Sequence, residues 1–322
     1  MTDKLSVRPG SEIEISTLMS TATSYAAAAR SEATRRAYQS DWTDFEAWMV
    51  ERGLDPLAAE PEAIVLYLTD RARTLKPQTL RRRLTSIGIM TVMKTGAEGH
   101  HRHPAVNEVM KGIRRTHGVA PVQKRALMTR DVRRIVSELP ESVQGIRDRA
   151  IIVVALAGGF RRSELVGLNV DDVEFVEAGV VIKLRRSKVD QEGRGVDVAL
   201  KHGSVAETCP VRLLRRWMEV SGADAGQPLF RRVSRAGRCL GRLTGAGLSV
   251  IVKRCCAAVA LNPDLYGPHS CRSGLATECA ANSVPIHEIQ RAGRWASVAT
   301  VARYVRAGSL FDDGNASGRI GL

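Results

Sequence analysis

Six side chains of this 322-residue chain stand at turning points of the polypeptide, and their types suit work on a phosphodiester. Arg161 follows Gly158, Gly159 and Phe160 in the stretch GGFRRSEL. Lys188 sits at the tip of a predicted hairpin. His269 and Arg272 open a predicted helix in GPHSCRSG. Trp295 and Tyr304 lie nine residues apart in GRWASVATVARYVR. Two arginines can grip a phosphate bidentately and offset the charge of a pentacoordinate transition state. A tyrosine can attack phosphorus and leave again, so the step is reversible. Histidine can accept or share the tyrosine proton, and a lysine on a hairpin can protonate the departing sugar oxygen. Because the arginines and the lysine supply the positive charge, this chemistry calls for no metal and no cofactor. Singly, each residue has an ordinary reading: a capping arginine, a solvated lysine, a structural histidine, an aromatic pair that merely packs. The weight rests on the combination.

These residues must be held by elements the sequence already outlines. Ser31 caps a helix in which Tyr38, Trp42, Phe45 and Met49 recur at helical spacing, a stripe that reads as core. Pro61, Pro77 and Pro104 each start a further helix, the last two running to about Val92 and Thr116. The stretch 117–127, HGVAPVQKRAL, has no apolar period and reads as a linker. Thr129 with Asp131 starts the next helix, and GIRDRAIIVVALAGG is a buried one ending at Gly158 and Gly159. VVIKLRRSK (180–188) and VDVAL (196–200) flank a polar turn and predict a hairpin. Helices follow at about 210–220, 247–260, 270–282, 285–292 and 298–306. The fold expected is mainly α, with a small antiparallel β-sheet in the C-terminal domain.

Charge adds a partner. The chain carries +14 at neutral pH, but unevenly. Residues 1–70 hold 6 basic and 12 acidic residues, whereas residues 71–134 hold 16 basic and 3 acidic ones. So lopsided a block favours a polyanion, with affinity drawn from counterion release. The candidates for backbone contacts are Lys76, Arg81, Arg82, Arg83, Lys111, Arg114, Arg115, Lys124 and Arg125. Three consecutive arginines fan around a helix, so at least one of Arg81, Arg82 and Arg83 faces away from any DNA. No apolar run is long enough to span a bilayer, and the N-terminus lacks the pattern of a signal peptide, which predicts a cytoplasmic, nucleoid-associated protein. The six cysteines show no C-x-x-C pair or zinc spacing, and His100, His101 and His103 read as a solvated loop.

Arg161-x-x-Glu164-Leu165, Lys188, His269-x-x-Arg272, Trp295 and Tyr304 resemble, in order and spacing, the active site of the tyrosine recombinases, the phage integrase family. Most members carry histidine where this chain has Trp295; the Cre-like members carry tryptophan. The likeness extends to SEATRRAYQSDWTDFEAW, AEPEAIVLYL and GIRRTHGVAPVQKRAL. It implies a helical SAM-like core-binding domain over 31–116, a linker over 117–127 and an α+β catalytic domain over 128–307. An extension over 1–30 and a tail over 308–322 flank them, the tail docking on a neighbouring protomer through Leu310 and Phe311. It further implies that Tyr304 forms a 3′-phosphotyrosyl bond and that Glu164 orients an active-site group. Trp295 would offer its indole N–H to a phosphate oxygen, with a smaller contribution than either arginine. The two domains would clamp double-stranded DNA with inverted half-sites. Four copies on two sites would exchange strands through a Holliday junction without ATP.

Three other readings compete. A type IB topoisomerase uses nearly the same residues to relax DNA. A DNA-binding protein of the same fold need not cut, yet it has no chemical need for Arg161, His269, Arg272 and Tyr304 together. A basic helical scaffold for RNA or acidic proteins accounts for the charge alone. Within the site, Lys183 competes with Lys188 as the proton donor, and Arg162 stands beside Arg161, which the G-x-R step favours.

Overall fold

The computed structural model describes residues 29–118, 124–185 and 195–308, with five single positions between 17 and 25. The chain divides into two compact units, Met1–Pro121 and Val122–Leu322.

The first unit is helical: α1 (Glu32–Val50), α2 (Pro61–Arg71), α3 (Pro77–Thr95) and α4 (Pro104–His117). Ser31 caps α1 by accepting the Thr34 N–H at 3.2 Å. The other three helices each begin with proline, whose missing N–H costs nothing in a first turn. The aromatic stripe is core, as its spacing predicts: Trp42, Phe45 and Met49 are buried, while Tyr38 is half-buried. Trp48, outside the stripe, is buried too. Phe45 meets Tyr67 edge-on at 5.1 Å and Trp42 at 5.7 Å, the arrangement ring quadrupoles favour. A polar seam binds the helices. Buried Asp41 accepts from Ser86 at 2.8 Å and Arg82 at 2.9 Å. Asp44 accepts from the Tyr67 hydroxyl at 2.8 Å, from Arg71 at 3.0 Å and from Arg83. His100–Arg102 form a short 3₁₀ turn instead of a wholly solvated loop. His101 packs against Gly88, its Nδ1 3.1 Å from the Gly99 carbonyl.

In the second unit, residues 124–127, read from the sequence as the end of the linker, are bonded into the domain. The Arg125 and Leu127 N–H groups donate to Leu265 and Ser270 carbonyls at 2.8 and 2.9 Å. Helices α5 (Thr129–Glu138), α6 (Val143–Gly158) and the short α7 (Arg162–Gly167) lead into an antiparallel meander. Its strands are β1 (Val173–Val176), β2 (Gly179–Leu184) and β3 (Val196–Lys201), with Val173 opposite Ile182 and Ile182 opposite Val198. The expected hairpin is thus the inner pair of three strands, and β2 ends at Leu184 instead of 188. After α8 (Pro210–Ser221) comes a second two-stranded sheet absent from the sequence reading, β4 (Arg231–Val233) with β5 (Cys239–Arg242). Four helices close the chain: α9 (Gly245–Ala258), α10 (Pro268–Ala281), α11 (Ile286–Gly293) and α12 (Val298–Gly308). One large core runs through α5, α6, the meander, α8 and α9, with Trp217 wholly buried. A separate small core of Ala276, Ala280, Ile289, Trp295 and Val301 joins α10, α11 and α12, with Tyr304 packed against it. None of the described helices is long and apolar enough to cross a membrane.

Candidate functional site

The site is built on the end of α6. That helix stops at Gly158, and Gly159 takes a left-handed conformation (φ 55°), which only glycine adopts without strain. The chain reverses, buries Phe160, and delivers Arg161 to the N-cap of α7. Glu164, three residues on, folds back to accept the Arg161 backbone N–H at 2.9 Å, the reciprocal half of a capping box. The same carboxylate receives the Arg161 guanidinium and, at 3.1 Å, that of Arg294. Burial pushes the Glu164 carboxyl up. The Arg161 hydrogen bonds and the charges of Arg294 and Arg161 outweigh it and hold the group below the ordinary carboxylate range.

Arg272 arrives from the first turns of α10 and is 2% exposed. Its Nη1 donates to the Gly159 carbonyl, while its buried Nη2 has no partner. The guanidinium lies 4.3 Å from the Trp295 ring centroid, a cation–π contact. Burial, then the nearby charges of Arg161 and Arg294, lowers its pKa to about 10, so it stays charged at neutral pH. An unpartnered N–H on a buried cation is costly unless an anion completes it. Such a donor is what a phosphate oxygen would complete.

His269, one turn before Arg272, points Nε2 at the Tyr304 hydroxyl, 2.7 Å away. Burial of part of its ring, then the charges of Arg272, Arg161 and Arg303, lowers its pKa below the ordinary imidazole value. That shift favours the neutral ring, the form that can take the tyrosine proton. Trp295 and Tyr304 pack ring to ring at 5.8 Å. Trp295 is therefore both a wall of the site and part of the small core: packing and site are one arrangement here. Gly293 makes this possible, since a Cβ there would stand 1.6 Å from the indole ring.

The structure thus brings Arg161, Glu164, His269, Arg272, Trp295 and Tyr304 together. Lys188 lies outside the described residues, as do Leu310 and Phe311. Arg185, the last described residue before Lys188, is anchored 2.5 Å from buried Asp172. Lys183 points outward from β2, 3.5 Å from Glu174 on the neighbouring strand. Arg162 turns toward Gly245 at the start of α9. Arg294 belongs to the site but was not singled out from the sequence, where it reads as one more basic residue after a glycine.

In the first unit, Arg81, Lys111 and Arg114 line one open groove of about 500 Å³ between α3 and α4, together with His101, Arg102 and Asn107. Arg102 is a second residue the sequence reading passed over. Lys76, Arg115, Lys124 and Arg125 are exposed. Arg82 reaches Asp41 with half its side chain in solvent. Arg83 is turned inward: it binds Asp44 and the Tyr67 hydroxyl and is withdrawn from the DNA-contact set. Among the described residues, no group of three or more histidine, cysteine or acidic side chains is placed to hold a metal ion.

Comparison with known proteins gives this geometry a context. The pattern of the phage integrase family matches residues 125–309. The integrase/recombinase xerD homolog of Selenomonas ruminantium is 34% identical, over 88% of this chain and 84% of that protein. Recombinase cre of Escherichia phage P1 is 28% identical, over 86% and 84%. Among solved structures, a lambda integrase dimer bound to a COC′ core site superposes with a TM-score of 0.57 at 15% identity, covering 90% of this chain and 94% of that one. XerH recombinase bound to its palindromic difH substrate gives 0.56 at 18% identity, covering 80% and 70%. The likeness to these two structures is one of fold: a helical unit followed by a mainly helical unit with small antiparallel sheets.

Proposed function

This chain belongs to the phage integrase family, and we propose that it is a site-specific DNA recombinase with Tyr304 as its nucleophile. The observation that carries the reading is the 2.7 Å contact between the Tyr304 hydroxyl and His269 Nε2, beside a buried Arg272 with an unused N–H. His269 takes the phenolic proton as the Tyr304 oxygen attacks the scissile phosphorus. Arg161 and Arg272 offset the charge that builds on the non-bridging oxygens. The bond from phosphorus to the 5′ oxygen breaks, leaving a 3′-phosphotyrosyl bond and a 5′-hydroxyl. Lys188 is the proposed donor of the proton that the 5′ oxygen takes up. The 5′-hydroxyl of a partner strand then attacks the phosphotyrosyl bond and returns the proton to Tyr304 by the reverse route. One phosphoester replaces another at each step, so no ATP is spent.

Glu164 holds Arg161 in line, and Trp295 walls the site against water and packs Arg272. The groove of Arg81, Arg102, Lys111 and Arg114 tracks the DNA backbone, within a core-binding domain spanning 31–116; the catalytic domain spans 128–307. Four copies act on two sites with inverted half-sites and pass through a Holliday junction. The test is a covalent trap, in which wild type and Tyr304→Phe meet nicked duplexes from the DNA flanking the coding region. An SDS-resistant adduct through a 3′-phosphate is expected with wild type alone. Equal adducts from both proteins, or none from wild type despite tight binding, overturn the reading. Relaxation of supercoiled plasmid without strand exchange would point to a topoisomerase.

A further inference from the structure

Two helices end inside the site, and both end in a left-handed residue. At the end of α6 that residue is Gly159 (φ 55°). At the end of α11 it is Arg294 (φ 56°), one of three non-glycine residues with positive φ among the described residues. The backbone around Arg294 has the bonds of a Schellman ending: Arg294 N–H to the Arg291 carbonyl at 3.1 Å, and Trp295 N–H to the Gln290 carbonyl at 3.1 Å. Glycine is the residue this position favours, and a Cβ there is strained. The glycine of this segment is one place earlier, at 293, where the Trp295 ring needs the space.

The strained residue turns its side chain into the site. One Arg294 nitrogen donates to the Gly158 carbonyl at 3.0 Å; the other lies 3.3 Å from the Gly159 carbonyl and 3.1 Å from Glu164. Its own carbonyl accepts from the Arg161 guanidinium at 2.9 Å. The Gly159 carbonyl is also the acceptor for Arg272. Arg294 therefore touches the hydrogen-bonded supports of the two phosphate-gripping arginines: the Gly159 carbonyl under Arg272, the carboxylate under Arg161, and Arg161 itself. Its Nε is buried and unpartnered, like Nη2 of Arg272.

We infer that Arg294 is a positioning residue for strand cleavage, a third arginine that fixes the geometry of Arg161 and Arg272 and adds positive charge behind the scissile phosphate. The inference rests on the proposed recombinase reading. With Glu164 as the only carboxylate among their partners in the described residues, Arg161, Arg272 and Arg294 together exceed it by two positive charges, a match for a phosphodiester passing through a dianionic transition state.

Arg294→Gly separates this role from a capping role, because glycine relaxes the backbone while removing the guanidinium. Wild-type adduct formation on a nicked duplex tests the functional reading by itself and serves as the control. Arg294→Gly is expected to bind the duplex as wild type does, to stay folded at the assay temperature, and to form the adduct about 10- to 100-fold more slowly, the loss of one or two charge-assisted hydrogen bonds. Added guanidinium ion, at millimolar concentration, should restore part of the rate, and Arg294→Lys should fall between the two. An undiminished rate in Arg294→Gly overturns the inference alone. So does a slow rate that follows a lowered melting temperature and is not relieved by guanidinium. No adduct from wild type overturns the reading of function, and this inference with it.

Discussion

The two units use arginine in opposite ways. Around the groove between α3 and α4, Arg81, Arg102 and Arg114 are exposed, spread over two helices and a turn, and set in a block with a large excess of positive charge. At the end of α6, Arg161, Arg272 and Arg294 are mostly buried and held to carbonyls and to Glu164. On the proposed reading, the first arrangement would attract a polyanion at long range and tolerate many positions along it, whereas the second would fix where one phosphate can sit. Binding by field and gripping by geometry would then fall to different units, and each should fail in its own way.

Arg272→Ala should show the largest effect. Removing a positioned donor to a developing oxyanion lowers rate by about 100- to 1000-fold, so single-turnover adduct formation should fall by that much with DNA affinity kept. A parallel loss of affinity would mean that the buried arginines also hold the duplex, and the contrast would collapse. Replacing Arg81, Lys111 and Arg114 together with alanine should do the reverse. The slope of log affinity against log salt should decrease by about 2–3, while cleavage at saturating protein stays near wild type. An unchanged slope would remove the groove from the interface.

Glu164 gives the smallest and most local effect. Its pKa is lowered on folding, so it stabilises the fold above its ordinary value of 4.5, and that contribution is lost as pH falls through the lowered value. Glu164→Gln should cost about 1–3 kcal/mol at neutral pH. Its difference from wild type in thermal or urea unfolding should shrink in acid, where wild type is protonated too. A gap that stays constant down to acid pH would mean that shape, not charge, holds Arg161.

Much of this was legible in the chain itself, for local reasons. Ser31 and the prolines at 61, 77 and 104 mark helix starts by what their own atoms can and cannot bond. The long apolar run ending in Gly158 and Gly159 marks a buried helix and its stop. The order of polar residues at those stops pointed to the site. What escaped depended on partners distant in sequence. Strand β1 has only four residues, too few for alternation to show, and β4–β5 is broken by an irregular register. Arg83 reads like its two neighbours until Asp44 and Tyr67, on other helices, claim it. Arg294 escaped because the glycine before it is the natural candidate for a left-handed stop. Only the bulk of Trp295 over that glycine moves the stop along by one.

The contact between Tyr304 and His269 lies within a single chain, as do all the bonds among Arg161, Glu164, Arg272 and Arg294. On the proposed reading, each copy would carry its own nucleophile, its own base and its own phosphate-gripping arginines. In a mixed population, a copy lacking Tyr304 and a copy lacking Arg272 would then have no such set to share, so two such defects should not complement one another. The working unit, counted by chemistry, would be one polypeptide per cut strand, however many copies gather around the DNA.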